Sequence, residues 1–210
     1  MKIKYLFRFY NYPRYITDFI LIGFYVFYWK KRDILIGNKT NFLGIPIISN
    51  EKNAIIKIGK NCLICSRSSQ TALGIAHPTI LRTLKSKSTI YIGNNVRMSG
   101  TTICAAKKVE IGENCVIGAD VIISDTDFHS LNPAVRRKEH DAELANVSPV
   151  IIGKDVFIGA KSIILKGVSI GKSSVIGAGS VVTKSFNENS IIAGNPAKLI
   201  GTINELNNKE

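Results

Sequence analysis

The chain has 210 residues, with 28 lysines and arginines against 15 acidic residues, and its formal net charge is +13. This length is ample for one domain with a sizeable core. The charge favours an anionic partner but excludes little by itself. Nucleic acid is disfavoured, because no helix-turn-helix, zinc-binding or aromatic stacking motif accompanies the basic residues.

Residues 1–33 differ from the rest of the chain and are predicted to form a separate N-terminal aromatic and basic helical segment. The first 32 residues hold 12 of the 17 aromatic residues and a single acid, Asp18. The apolar run at residues 19–29 is shorter than the roughly 20 residues that span a bilayer, and no signal-peptide cleavage site follows it. One face of a helix would carry Tyr15, Phe19, Ile22 and Val26.

Two interpretations of this segment stay open. In the first, the helix packs on the following domain or on a sister subunit. In the second, residues 1–32 form an interfacial anchor on anionic lipid, which would place the protein at the inner membrane face.

A six-residue spacing of aliphatic residues dominates the second half of the chain. Positions six apart fall on different faces of an α-helix, so this spacing does not describe an amphipathic helix. Repeats of this kind are instead typical of a parallel β-helix, in which one aliphatic side chain per repeat fills the interior. The six residues are Ile152, Ile158, Ile164, Ile170, Ile176 and Val182.

The repeat extends upstream, so residues 34–202 are predicted to form one all-β prism, with residues 203–210 as a C-terminal tail. Glycine follows many of the aliphatic residues, as at Ile111-Gly112, where it is expected to let the backbone turn. A small or β-branched residue stands four positions after each aliphatic. Cys62 and Cys115 occupy such positions, so the cysteines are interpreted as reduced core residues of a cytoplasmic protein.

The repeats stop at residue 125 and resume at residue 150. Loops that interrupt a rigid scaffold are where function concentrates, and His129 lies at the start of this excursion. Histidine is the side chain best suited to act as a general base near pH 7. We expect Asp127 to orient His129, since it falls in the inward position after Ile123; Asp125, Glu143 and a backbone carbonyl are alternatives. Asp127 could equally tie down the amides of its own loop.

The ordered set of motifs resembles the left-handed β-helix acyltransferases with hexapeptide repeats. It is most similar to bacterial capsule and surface-polysaccharide O-acetyltransferases, and to maltose and galactoside acetyltransferases. The resemblance is close over residues 74–201 and loose over residues 34–67. It rests on the repeats, Asp-x-Asp-Phe-His at 125–129, the basic loop after it, Gly-Ala-Gly-Ser-Val-Val-Thr-Lys at 177–184 and Gly-Asn-Pro-Ala-Lys at 194–198.

The resemblance implies a left-handed parallel β-helix and a homotrimer with active sites between subunits. It implies acetyl-CoA as co-substrate, no metal, and His129 as the catalytic base. Relatives have an asparagine where this chain has Ser99, so Ser99 and Gly100 are candidate contacts to the acceptor or the oxyanion. Arg136 and Phe157 are further candidates for binding the acceptor, and packing between subunits is the alternative for Phe157. The positions that match the coenzyme A site are Ala160, Ala178, Thr183 and Lys184, with Lys198 as an added charge.

The leading functional hypothesis is therefore acetyl transfer to a sugar hydroxyl of a surface polysaccharide or its precursor. N-acetylation of an amino sugar nucleotide is the alternative, since it uses the same scaffold and base. A zinc enzyme on this fold would need three histidines at a subunit junction, and His77, His129 and His140 show no such spacing. A non-catalytic scaffold is the last alternative, and the intact excursion argues against it.

Overall fold

The computed structural model describes residues 21–29 and 31–204. Helix α1 covers residues 21–29, and a single helical turn, α2, covers Pro133–Arg136. Two short 3-10 turns lie at Ser68–Gln70 and Asp141–Leu144. The strands lie between Ile34 and Thr202 and form three sheets, here named A, B and C.

The strands follow the order A, B, C in each coil of the chain. Sheet A contains β1 (Ile34–Ile36), β4 (Ile55–Ile58), β7 (Thr89–Ile92), β10 (Lys108–Ile111), β13 (Val150–Ile152) and β16 (Ser169–Ile170). Sheet B contains β2 (Asn41–Leu43), β5 (Leu63–Cys65), β8 (Arg97–Ser99), β11 (Val116–Ala119), β14 (Phe157–Ile158), β17 (Val175–Ile176), β19 (Ser190–Gly194) and β20 (Ala197–Thr202). Sheet C contains β3 (Ile47–Ser49), β6 (Ile80–Thr83), β9 (Thr102–Ala105), β12 (Ile122–Ser124), β15 (Ile163–Ile164) and β18 (Val181–Val182).

Each strand pairs in parallel with its counterpart one coil away, which makes a three-sided prism. Ile111 of β10, for example, lies opposite Ile92 of β7 and Ile152 of β13. Only β20 breaks the pattern, since it pairs antiparallel with β19 among the described strands. We name the prism edges by the sheets that they join: A–B, B–C and C–A.

The six-residue repeat marks the core, as predicted. The aliphatic residues from Ile152 to Val182 at this spacing are at most 1% exposed. The small residues four positions later also point inward; Val156, Ser162 and Cys115 are at most 1% exposed. Burial of one aliphatic side chain is worth roughly 1.5–3 kcal/mol, so the column of aliphatic residues is the main source of stability.

The glycines of the repeat serve a different purpose from the one predicted. Gly59 has no positive φ; instead, a Cβ there would lie 2.5 Å from the carbonyl carbon of Gly93 in the next coil. The glycine is needed because adjacent coils approach too closely for a side chain. The turn itself is made two residues later, where Asn61, Asn95 and Asn114 have φ between +56° and +61°. Asparagine tolerates this left-handed conformation better than most residues.

These asparagines form a ladder along the A–B edge. The side-chain amide of Asn61 donates to Asn95 Oδ1 at 3.3 Å, and that of Asn95 donates to Asn114 Oδ1 at 2.9 Å. Asn114 in turn donates to Asp155 Oδ1 at 2.9 Å, and the carboxylate ends the ladder. Neighbouring coils are therefore tied by side chains as well as by the strand hydrogen bonds.

Helix α1 closes the N-terminal end of the prism. Trp29 is 3% exposed, stacks on Tyr25 at 5.7 Å between ring centroids and packs against Phe42. Ile22 also packs against the core, whereas Phe24 and Phe27 are 69% and 62% exposed. Both open interpretations of the N-terminal segment thus have some basis in residues 21–29. Tyr15 and Phe19 lie outside the described residues.

No helix in residues 21–29 and 31–204 is long and apolar enough to span a bilayer.

Candidate active site

The excursion at residues 125–149 leaves the prism at the C–A edge and is held at its neck by Asp125. The carboxylate of Asp125 accepts hydrogen bonds from the backbone N–H groups of Ala106, Lys107 and Lys108 at 2.6–2.7 Å. Its own carbonyl accepts from the N–H of Ser148 at 2.9 Å, where the chain returns. Asp125 is 0% exposed, and these bonds satisfy a charge that would otherwise be costly to bury. It is a structural anchor and does not contact the imidazole.

His129 is presented to solvent by a tight turn and is held from behind by Asp141. Its side chain is 65% exposed, and Nδ1 lies 3.2 Å from each carboxylate oxygen of Asp141. Asp141 begins the 3-10 turn Asp141–Leu144 and also accepts the N–H of Ser130 at 3.2 Å. The excursion therefore folds back on itself, which brings Asp141 into contact with His129.

The ionisation of Asp141 fixes the role of each imidazole nitrogen. Burial works to raise the pKa of Asp141, but the hydrogen bonds from His129 and from the Ser130 N–H outweigh it, so the pKa lies below its ordinary value. An ionised carboxylate only accepts hydrogen bonds, so Nδ1 of His129 carries the proton. In the neutral imidazole Nε2 is then the acceptor, which is the arrangement that a general base requires.

Asp127 does not orient His129, contrary to the prediction. Its carboxylate lies 2.9 Å from the ammonium of Lys166 and accepts a hydrogen bond from Asn146 at 3.4 Å. Asp127 is not in the predicted inward position either, because the regular coil ends at Ser124 and the chain turns outward after Asp125. Asp141 was missed because it lies 12 residues beyond His129 and no spacing rule links the two.

A cavity of about 720 Å³ lies beside His129 at the C–A edge. Its walls come from the ends of sheet C in neighbouring coils and from both ends of the excursion. It is lined by Glu51, Leu84, Lys85, Ser86, Ala106, Thr126, Phe128, His129, Ala142 and Glu143. The mixture of apolar and convergent polar groups is typical of a small-molecule site.

A second cavity, of about 690 Å³, lies at the B–C edge and brings Ala160 and Ala178 together. Both alanines line it, with Ala119 and Asp120 from the preceding coil and the loop Leu73–Ala76 as an outer wall. The loop is held because the carboxylate of Asp120 accepts the N–H of Ala76 at 2.9 Å. Small side chains here leave the backbone open to an extended ligand.

Ser99 and Gly100 lie at the same edge, near this second cavity. The N–H of Gly100 donates to the carbonyl of Cys65 at 2.9 Å, so this amide is already used within the fold and does not face a reacting carbonyl. A Cβ at Gly100 would lie 2.8 Å from Ile75, which explains why the position is glycine. The carbonyl of Ser99 accepts the N–H of Asp120 at 3.1 Å.

The remaining predicted residues fall at several places. Thr183 and Lys184 follow β18 at the C–A edge, and Nζ of Lys184 lies 5.6 Å from the ring centroid of Phe186. Arg136 donates from Nη1 to the carbonyl of Ser130 at 3.1 Å, so it stabilises the excursion. Phe157 is 46% exposed in β14 of sheet B, away from the cavity at His129. Lys198 is exposed in β20.

Two further observations constrain the chemistry. Burial raises the pKa of Cys62, Cys104 and Cys115, the last to about 11, so these thiols are poor nucleophiles near neutral pH. Among the described residues, no group of three or more His, Cys, Asp or Glu side chains is arranged to hold a metal ion.

The family model that the chain matches covers the repeats and omits most of the excursion. Residues 108–124 and 149–184 match the family model described as the hexapeptide repeat of succinyl-transferase, on either side of the excursion. A galactoside O-acetyltransferase of Escherichia coli is 39% identical over 119 residues, covering 56% of this chain and 56% of that protein. A 2,3,4,5-tetrahydropyridine-2,6-dicarboxylate N-acetyltransferase of Halalkalibacterium halodurans is 39% identical over 98 residues, covering 47% and 35%.

The chain spans about half the length of the curated relatives that it matches first. A solved galactoside acetyltransferase in complex with coenzyme A is similar in structure, with a TM-score of 0.51 and 27% identity. The match covers 81% of this chain and 68% of that one, and it confirms the predicted left-handed parallel β-helix. In its repeats, its fold and its sequence, the chain is similar to hexapeptide-repeat acetyltransferases.

Proposed function

We propose that the protein transfers an acetyl group from acetyl-CoA to a sugar hydroxyl of a surface polysaccharide or its precursor. The observation that carries this proposal is the His129–Asp141 pair, which faces a cavity with Nε2 free. In the reaction, Nε2 takes the proton of the sugar hydroxyl while its oxygen attacks the thioester carbonyl. The tetrahedral intermediate collapses, the acetyl ester forms, and the departing CoA thiolate takes the proton from the imidazolium.

Direct transfer fits the surroundings better than an acyl-enzyme. A covalent route needs an activated nucleophile close to the base. The three cysteines with raised pKa values are at most 8% exposed and point into or against the prism. Ser99 is the candidate to contact the acceptor or the developing oxyanion, through its hydroxyl.

We assign the pantetheine part of the coenzyme A site to the B–C edge at Ala160 and Ala178. Thr183 and Lys184 lie at the C–A edge, so they would reach the nucleotide end from a neighbouring chain, with Lys198 as an added charge. The alanines and His129 belong to different edges of one prism. Residues 120–125, which cross sheet C between these edges, span roughly 16 Å at about 3.3 Å per residue. A thioester bound along the alanines is therefore far from the histidine of its own chain.

A second subunit resolves this separation. If the C–A edge of one chain meets the B–C edge of the next, the base and the thioester face each other across the contact. Such a contact joins unlike surfaces, so it generates a ring where the rotation closes, and not a two-fold dimer. A homotrimer with active sites between subunits satisfies this geometry for a three-sided prism.

Thiol release from acetyl-CoA tests the proposal, with methyl β-D-galactopyranoside as a hydroxyl acceptor and glucosamine as an amino acceptor. His129→Asn should reduce turnover at least 100-fold, while coenzyme A binding measured by calorimetry stays within twofold of wild type. His140→Asn is the matched control, because His140 is an exposed histidine of the same excursion with φ of +62°, which asparagine tolerates.

Full turnover in the His129→Asn variant would refute the role of the base. Thiol release with glucosamine alone would refute transfer to oxygen and favour the N-acetyl alternative. Light scattering that finds a concentration-independent monomer with full activity would refute the shared active site.

We further propose that the protein is cytoplasmic and contacts an anionic membrane surface through helix α1. Phe24 and Phe27 project from the side of the helix opposite the buried Trp29, and Lys31 and Arg32 follow directly. Aromatic residues beside basic ones suit the interface of an anionic bilayer. Co-sedimentation with phosphatidylglycerol vesicles tests this, and equal partitioning of wild type and the Phe24→Ser/Phe27→Ser variant would refute it.

A further inference from the structure

Phe128 occupies a strained turn immediately before the proposed base. Its φ is +63°, a region that bulky aromatic residues rarely adopt. The N–H of His129 donates to the carbonyl of Asp127 at 2.7 Å, which closes a three-residue turn around Phe128. The γ-turn with positive φ at its centre is the rare and strained form. Such strain persists only where the surrounding structure enforces it, and it clusters at functional sites.

The turn exposes the ring of Phe128 rather than burying it. Phe128 is 44% exposed and lines the same 720 Å³ cavity as His129. Its N–H is satisfied by Thr126 Oγ1 at 3.1 Å, so the backbone is held without help from the ring. Glycine or asparagine would make this turn with less strain, and burial does not explain the phenylalanine.

The charges around the cavity oppose the charge of the whole chain. The formal net charge of the protein is +13, yet the cavity is lined by the carboxylates of Glu51 and Glu143 against the single cation Lys85. Lys85 donates to the backbone carbonyl of Glu143 at 3.0 Å. Within the described residues, neither glutamate takes part in an ion pair. An acidic ligand entering this cavity would meet two glutamates against one lysine.

We propose that Phe128 is the stacking platform for the ring of the acceptor sugar, and that the cavity selects a sugar without acidic groups. The C–H face of a pyranose suits an aromatic ring, and its hydroxyl groups suit carboxylate acceptors such as Glu51 and Glu143. The turn then places the stacking ring and the base on adjacent residues, so that the stacked sugar has a hydroxyl close to Nε2 of His129. This inference rests on the proposed function, because it names the acceptor class of the same site.

Sugar binding without acetyl-CoA tests the inference independently of turnover. The measurement is saturation-transfer NMR on the full chain with methyl glycosides of galactose, glucose and N-acetylglucosamine, and with the methyl glycosides of galacturonic and glucuronic acid. We expect at least one neutral glycoside to bind about tenfold more tightly than either uronic acid. Phe128→Gly should weaken that binding about tenfold, and Phe128→Tyr should retain it within threefold.

A structural role for Phe128 predicts a different pattern of results. Glycine relieves the positive φ, so the thermal midpoint of Phe128→Gly should be no lower than that of wild type. Leu131→Ala is the control, because Leu131 is 67% exposed in the same excursion but does not line the cavity; its sugar binding should not change.

Three results would overturn the inference: unchanged sugar binding in Phe128→Gly, tighter binding of a uronic acid than of every neutral glycoside, or loss of binding together with dissociation of the oligomer. The last would show that the ring packs between subunits. Sugar binding as expected with no thiol release from acetyl-CoA would instead refute the proposed acyl transfer and leave the sugar site standing.

Discussion

The role of Asp141 can be separated from that of Asp127 by one pair of substitutions. Asp141→Asn keeps the size of the side chain but replaces the carboxylate that lies 3.2 Å from Nδ1 of His129. An asparagine amide can donate to Nδ1, which would move the proton to Nε2 and block the base. Asp127→Asn is matched in chemistry and lies in the same excursion, but it removes a partner of Lys166 instead.

The size of the effect follows from the exposure of the pair. In a buried serine protease triad, the equivalent substitution lowers kcat about 10⁴-fold. Here the histidine side chain is 65% exposed, and two bonds of 3.2 Å are longer than the 2.7–2.9 Å of strong charge-assisted pairs. Water can therefore compete for Nδ1, and we expect a loss of about 10- to 100-fold in kcat. For Asp127→Asn we expect a loss of less than about threefold.

Steady-state thiol release at saturating acetyl-CoA, together with calorimetric binding of coenzyme A, measures both effects. Binding should be unchanged in both variants, since neither residue is among those assigned to coenzyme A. A loss of kcat in Asp127→Asn equal to or greater than that in Asp141→Asn would refute the assignment, as would full activity of Asp141→Asn.

Three further predictions concern stability and coenzyme binding. Asp125→Asn should lower the unfolding free energy by about 2–6 kcal/mol in urea denaturation, because the N–H groups of Lys107 and Lys108 lose their acceptor; a loss below about 1 kcal/mol would contradict this. Burial raises the pKa of Cys115 from 9.0 to about 11, so its contribution to stability is present below pH 9 and is lost as pH rises through 11. The loss should be about 2–3 kcal/mol in wild type and absent in Cys115→Val, whereas parallel pH profiles would contradict the cause. Lys184→Ala should raise the Michaelis constant for acetyl-CoA about tenfold with little change in kcat, since one phosphate contact is removed; an unchanged constant would exclude that contact.

The fold could be predicted because the repeat expresses a packing requirement in every coil. The six-residue spacing alone gives the position of each buried aliphatic residue from Ile152 to Val182, without knowledge of distant contacts. The role of the repeat glycines was harder to predict from the sequence, because the close approach of Gly59 to Gly93 arises only when coils are stacked. The sequence showed where glycine recurs but not which backbone atoms exclude a side chain.

The site was only partly predictable, because the excursion does not obey the repeat. His129 was found from its chemistry and its motif. Asp127 was chosen by extending the six-residue spacing one step too far, whereas Asp125 anchors the neck and turns the chain outward. Asp141 reaches the histidine only because residues 130–148 fold back, and this is a tertiary contact with no sequence period.

The asparagine ladder gives the prism a direction that strand pairing alone does not. Each amide donates toward the C-terminal coil, and those of Asn95 and Asn114 also accept from the N-terminal one, so reversing either of these two would set two oxygens or two NH₂ groups against each other. Asp155 accepts the last of these hydrogen bonds and has no amide group with which to continue the series. A coil inserted between Asn61 and Asn114 would therefore need an asparagine at the A–B edge to continue the ladder. A coil inserted after Asp155 would not. Lengthening this scaffold is thus a question of side-chain polarity as well as of hydrophobic spacing.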